Sequence, residues 1–208
     1  MKAEVFIDVV SHWCLVAVPA MEALRDLVAD VEIVYAPLND GKPIGFTNEM
    51  ETWYYKRGAL AYGRSLKPDW CEGPEISSWH ANVSAYVAGE IIGDQVKAAH
   101  AMMAAVMERG VLVGRAEEAH TVAAAIASAP LEEIEKRVSA AGMHEKLNAG
   151  NHRLAAYGAD ERPTFVLENA NGDRAVLKGV WQRDAIVAVA QAMHSDEKAY
   201  AAAGPPPF

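Results

Sequence analysis

The chain of 208 residues has only two cysteines, Cys14 and Cys71. It has no run near the roughly 18 apolar residues that a membrane span needs, and no concentrated cluster of Lys and Arg. Two cysteines are too few for a disulfide-stapled secreted scaffold and fit a reducing compartment, while their mutual pairing is left open. A formal charge of -9 without a basic patch argues against nucleic acid, whose phosphates demand a focused positive surface. It leaves room for a small anion in one basic pocket. Met1-Lys2-Ala3-Glu4 begins without the long apolar stretch of a signal peptide, so a cytoplasmic protein with no membrane partner is expected. His80, His100 and His120 recur at a spacing that matches neither a helix-face ligand pair nor a zinc signature, so no metal is expected.

What is present is enough apolar residue, 51% of the chain, to bury a full core in one domain or one domain with a large insertion. Glu4-Val5-Phe6-Ile7-Asp8-Val9-Val10 is a short, β-branched strand run, and Leu15 to Ala29 has helical apolar spacing with Pro19 as a kink. Val31-Glu32-Ile33-Val34-Tyr35 reads as a second strand, so the two strands form a right-handed crossover unit and lie parallel. From Asn39 to about Tyr157 an Ala- and Met-rich pattern predicts roughly five or six helices, with Gly58, Gly73-Pro74, Gly93, Gly110, Gly114, Pro130 and Gly142 as helix ends. Thr164 to Glu168 and Arg174 to Lys178 flank Asn171-Gly172 and predict a hairpin. A last helix follows from about Gln182 to Met193, and Gly204-Pro205-Pro206-Pro207-Phe208 reads as an extended arm.

Ser11-His12-Trp13-Cys14 falls at the junction of the first strand and helix. Unpaired backbone N–H groups and the positive end of a helix favour an anion there, either a thiolate or an oxyanion. The Ser11 hydroxyl either caps the helix or donates to a bound thiolate. Lowering a thiol by about 2 pKa units needs about 3 kcal/mol, within reach of one charge-assisted hydrogen bond and a helix end. Cys14 is a candidate monothiol nucleophile, able to form mixed disulfides but not to resolve them alone. His12 is either an acid, base or carboxylate binder or an exposed loop histidine. Trp13 either makes an apolar wall or packs on neighbouring helices. The helical region carries Trp53, Tyr54, Tyr55, Tyr62, Trp70, Trp79 and His80. Three consecutive aromatics on a helix cannot all face one core, so Trp53, Tyr54 and Tyr55, with Trp79, are candidates for a substrate cleft as well as for core.

The element order, Ser11-x-x-Cys14, Pro19 and Arg162-Pro163-Thr164-Phe165 together resemble the thioredoxin fold as elaborated in the DsbA family, the last matching that family's V-P-T-F loop. The resemblance implies an α/β protein. Residues 1–38 and 158–195 would form a discontinuous thioredoxin-like domain, 39–157 an inserted helical subdomain, and 196–208 a C-terminal tail. In such proteins the second active-site position is the more buried one. Serine at the first position is similar to kappa-class glutathione transferases and 2-hydroxychromene-2-carboxylate isomerases, which carry Ser-Pro-Tyr/Trp-Ser there. Here His12 stands for the proline and Cys14 for the second serine. Gly179-Val180-Trp181-Gln182-Arg183-Asp184 has the residue types of their Gly-x-Asp-Arg element in altered order and spacing.

The resemblance implies glutathione as a bound thiol cosubstrate, contacted by Trp13, Arg162, Pro163, Gln182, Arg183 and Asp184, and a homodimer. It also implies a cis peptide bond before Pro163, with the Arg162 backbone facing the active-site helix and available to an extended peptide. The Arg162 side chain either grips a substrate carboxylate or is solvated. Three functions are expected in competition. One is a glutathione-dependent transferase or isomerase acting on a hydrophobic, aromatic or epoxide-like electrophile through Ser11. The others are a thiol oxidoreductase using Cys14, alone or with Cys71, and a non-catalytic peptide-binding protein.

Overall fold

A computed structural model describes residues 1–71 and 76–204 of the chain. The predicted helix end at Gly73-Pro74 and residues 205–208 of the predicted arm lie outside the described residues. Strands β1 (Lys2–Ile7), β2 (Asp30–Tyr35), β3 (Thr164–Glu168) and β4 (Arg174–Lys178) form a sheet in the order β2-β1-β3-β4. β1 and β2 are parallel, and β1-β3 and β3-β4 are antiparallel. The crossover between the parallel strands is α1 (His12–Val16) and α2 (Val18–Leu27). A single kinked helix is expected there, but the helix breaks at Ala17. Pro19 has no N–H to donate, and it sits in the first turn of α2, where none is needed.

β1 ends at Ile7 and not at Val10, because the next residues bond to side chains instead of to a strand. Asp8 is fully buried. Its Oδ1 accepts Val10 N–H at 2.9 Å and Asn82 Nδ2–H at 2.9 Å, and its Oδ2 accepts Leu38 N–H at 2.7 Å. Asn82 Oδ1 accepts Val9 N–H at 3.1 Å. One carboxylate thus ties the end of β1 to the segment after β2 and to the inserted region.

That insertion holds α3 (Asn48–Tyr62), α4 (Trp79–Ile92), α5 (Gln95–Met107), α6 (Ala116–Ala127), α7 (Leu131–Val138) and α8 (Met143–Ala156) among the described residues. Thr47 caps α3 by accepting Met50 N–H at 3.2 Å, and Asp94 caps α5 by accepting Lys97 N–H at 3.0 Å. Gly93 and Gly142 stand at helix ends as expected. Gly58 does not: it lies inside α3, which ends at Gly63, in the left-handed conformation. The last helix, α9 (Arg183–Ala203), packs on α2 and is longer than expected, so residues 196–203 are helix and not tail. Strand-helix-strand, helical insertion, hairpin and helix is the arrangement of a thioredoxin fold with an inserted helical subdomain. No helix among the described residues is long and apolar enough to cross a membrane.

α8 is fastened to the sheet by shape and charge. Glu4 and Glu32 are directly paired across β1 and β2, an arrangement of like charges that Arg153 offsets. Its guanidinium donates to both Glu32 oxygens at 2.7 Å and also to Glu4. Three residues earlier, a Cβ on Gly150 would stand 2.0 Å from the Tyr35 backbone oxygen. Mid-helix Gly→Ala ordinarily stabilises by about 1 kcal/mol, whereas overpacking against backbone costs about 1–3 kcal/mol or more. Gly150→Ala is therefore expected to lower the urea midpoint, and an unchanged or raised midpoint would show that α8 does not press on β2 in this way.

Candidate active site

The start of α1, the loop before β3 and the inserted α3 enclose a cavity of about 480 Å³. Ser11 and Trp13 line it from α1, Arg57 from α3, and Leu38 from the segment after β2. The opposite wall is Asp160, Glu161 and Arg162, with Gly179 and Trp181 beyond β4. The Arg162–Pro163 peptide bond is cis. Ser11 precedes α1 in an extended conformation, and its backbone oxygen accepts Cys14 N–H at 3.0 Å. Its hydroxyl does not cap the helix. It donates to Arg162 O at 3.4 Å, across the cavity floor.

Of the other motif residues, only Trp13 lines the cavity. Cys14 is wholly buried, and burial pushes its thiol up to about 12 in spite of hydrogen bonds from its surroundings. Burial thus favours the neutral thiol, and Cys14 is not among the residues that line the cavity. Cys14 and Cys71 are not bridged. His12 is not an exposed loop histidine: it is buried and does not line the cavity. Its ring is packed against Trp13 and Tyr55, with centroids 4.7 and 5.4 Å away, and against Gly58. Burial, with help from the Arg57 charge, lowers it to about 4, and Nε2 has no hydrogen-bond partner among the described residues.

Arg162 is committed elsewhere. Nε donates to Ala36 O at 2.6 Å, Nη1 to Asp160 O at 2.7 Å and Nη2 to Asn151 Oδ1 at 2.5 Å. The side chain is thus a half-buried brace across three segments, its donors taken up by backbone and amide oxygens. Gln182, Arg183 and Asp184 do not reach the cavity. They begin α9 on its solvent side, where Arg183 pairs with Asp184, itself 93% exposed. Trp181, the residue just before them, lines the cavity instead.

The expected aromatic cleft is partly built. Trp13 and Trp181 stack with centroids 5.7 Å apart and planes at 18°. The Arg57 guanidinium lies over Trp13 at 5.7 Å and over Trp53 at 5.5 Å. Trp53 is 57% exposed beside the cavity, and Tyr54 is half-buried between Trp53 and Phe46. Tyr55 is core, its hydroxyl donating to Val10 O at 2.8 Å. Trp79 belongs to a different hollow of about 440 Å³, its ring 4.6 Å from that of His144, with His80 and His152, so it is not brought to the site. A third hollow along the β2 edge, about 480 Å³, holds no residue of the motif.

Sequence reasoning missed Arg57, Trp181 and Glu51. Trp53, Arg57 and Leu60 share one face of α3 at helical spacing, which was the available signal for Arg57. Glu51 carried none. It is buried one turn before Tyr55, and burial, reinforced by Asp8, raises its carboxyl to about 7.

No protein-family model matches the chain, and no curated protein matches it in sequence. Solved structures do match in fold. The cytosolic disulfide reductase DsbM from Pseudomonas aeruginosa is 17% identical with a TM-score of 0.76, covering 94% of this chain and 99% of that one. The same reductase with GSH gives 0.75 at 16% identity, over 94% and 100% of the two chains. A 2-hydroxychromene-2-carboxylate isomerase is 15% identical with a TM-score of 0.66, over 99% and 100%. A probable DsbA oxidoreductase from Streptomyces coelicolor is 17% identical with a TM-score of 0.68, over 100% and 93%. The chain has a DsbA-like thioredoxin fold.

Because Glu51 ionises near 7 when folded and near 4.5 otherwise, its charge opposes folding. The penalty is absent below 4.5, grows as pH rises to 7 and is complete above, at about 3 kcal/mol. Glu51→Gln is expected to raise the unfolding free energy at pH 8 and to leave it nearly unchanged at pH 4. Equal effects at both pH values in denaturant titrations would contradict this burial.

Proposed function

We propose that the protein is a glutathione-dependent transferase or isomerase acting on a hydrophobic, aromatic electrophile. One observation carries this reading: the motif's cysteine is sealed and held as a thiol, while Ser11 lines a cavity together with Trp13 and Trp181. The sulfur for any thiol chemistry must then come from a ligand. The fit with glutathione is chemical. Arg162 O, beside the proline loop, can accept an N–H from an extended peptide, and Asp160 and Glu161 offer carboxylates to its ammonium end. Likeness to an isomerase of this fold and to a reductase solved with GSH supports the same reading.

Bound glutathione supplies a nucleophilic thiolate. In transfer, a C–S bond forms and the acceptor's leaving bond breaks. In isomerisation the sulfur adds to a conjugated acceptor, the former double bond rotates, and the C–S bond breaks again. Ser11 donates its hydroxyl hydrogen to the anionic sulfur, exchanging a long 3.4 Å bond to a neutral carbonyl for a charge-assisted one. Trp13 and Trp181 offer a flat apolar wall to the acceptor and exclude water from it.

A disulfide mechanism through Cys14 is disfavoured, since a thiol near 12 presents almost no thiolate at pH 7 and has no access to a substrate. Reduced glutathione is expected to quench the tryptophan fluorescence saturably. Ser11→Ala is expected to slow conjugation of chlorodinitrobenzene or a conjugated aromatic acceptor about tenfold or more, the loss of one charge-assisted bond. Cys14→Ser is expected to keep the activity. Loss of activity in Cys14→Ser with Ser11→Ala unaffected would overturn the proposal in favour of the oxidoreductase.

A further inference from the structure

The cavity has four charged neighbours, and their roles differ. Asp160 and Glu161 are acidic, and the Arg162 guanidinium is occupied by backbone and Asn151 oxygens. His12 is buried and neutral behind Trp13. Arg57 alone among the described cavity residues is a cation without a hydrogen bond or ion pair. Its guanidinium is flanked by the Trp13 and Trp53 rings. A stacked guanidinium has its faces covered while its N–H donors point outward in the plane, free for an anion.

The backbone fixes this placement. A Cβ on Gly58 would lie 2.5 Å from the His12 ring, so α3 rests directly on the first turn of α1. Arg57, the residue before Gly58, lines the same cavity as Ser11. α1 itself spans only five residues before the break at Ala17, which limits the charge its aligned peptides can present.

We infer that Arg57, from the inserted helix, supplies the positive charge that holds the sulfur of the bound thiol as a thiolate. This rests on the glutathione-dependent reading above and moves the main anion-stabilising group from the start of α1 to α3. The thiol proton leaves to solvent at the cavity mouth, and Ser11 supplies the second, neutral contact to the sulfur.

The test measures the pKa of the bound thiol from the ultraviolet absorbance of its thiolate, in wild type, Arg57→Gln and Arg57→Lys. Affinity for S-methylglutathione, which has no thiol to ionise, is measured alongside. Removing the charge is expected to raise the bound thiol's pKa by about 1 unit or more, Lys is expected to restore most of the shift, and S-methylglutathione is expected to bind all three proteins equally. An unchanged pKa in Arg57→Gln overturns the inference and leaves the glutathione reading intact. So does an unchanged pKa with parallel loss of S-methylglutathione, which would mean that Arg57 grips a carboxylate. Wild type that binds neither compound overturns the glutathione reading and this inference with it.

Discussion

The Asp8 carboxylate is the junction on which the site depends. Buried charge is costly unless fully hydrogen-bonded, and here two backbone N–H groups and the Asn82 amide meet it from three parts of the chain. The bond to Val10 N–H shapes the turn that delivers Ser11. The bond to Leu38 N–H fixes the segment that lines the cavity and whose preceding carbonyls brace Arg162. The bond to Asn82 anchors α4, and with it the insertion, beneath the same turn. Loss of this one carboxylate would leave Val10 N–H, next to the motif, without its acceptor, while Leu38 N–H and the Asn82 amide would keep only their bonds to Ser78.

The insertion does more than cover the sheet. α3 presses Gly58 onto His12, sends the Tyr55 hydroxyl to Val10 O and buries Glu51 one turn away. Excluding water there has a common electrostatic consequence. Burial disfavours the charged form of each group, so the Cys14 thiol and the Glu51 carboxyl move up and the His12 imidazole moves down. The result is that His12 and Cys14 are neutral beside the buried Asp8 carboxylate, beneath a cavity lined by charged side chains. His12 and Glu51 also act on stability in opposite senses between pH 4.5 and 6.5. The neutral histidine favours the unfolded chain as pH falls, and the carboxyl does so as pH rises.

Much of the architecture was legible because it rests on local patterns. The hairpin around Asn171-Gly172, the crossover between parallel strands and the helical character of the middle region follow from alternation, turn chemistry and helical spacing. They stand in the structure with boundaries shifted by a few residues. The shifts have causes. β1 stops where Asn82 and Asp8 capture the next N–H groups, and Gly58 serves close packing in mid-helix instead of an end. Site residues were less legible, because a side chain's use depends on which acceptors the fold brings to it. Arg162 meets three oxygens from distant segments, and Trp79 faces His144 in a separate hollow.

The sequence by itself determined the order of elements, the DsbA-like thioredoxin fold that follows from it, and the placing of Ser11 and Cys14 at the start of the first helix. These depend on residue type and spacing within short windows, where backbone geometry leaves few choices. Only the tertiary structure decided that Cys14 is sealed, that His12 is core, that Trp181 and not residues 182–184 reaches the cavity, and that Arg57 arrives there uncommitted. Those outcomes depend on water exclusion and on contacts between segments far apart in sequence, where distance and dielectric, not residue type, set what each group can do.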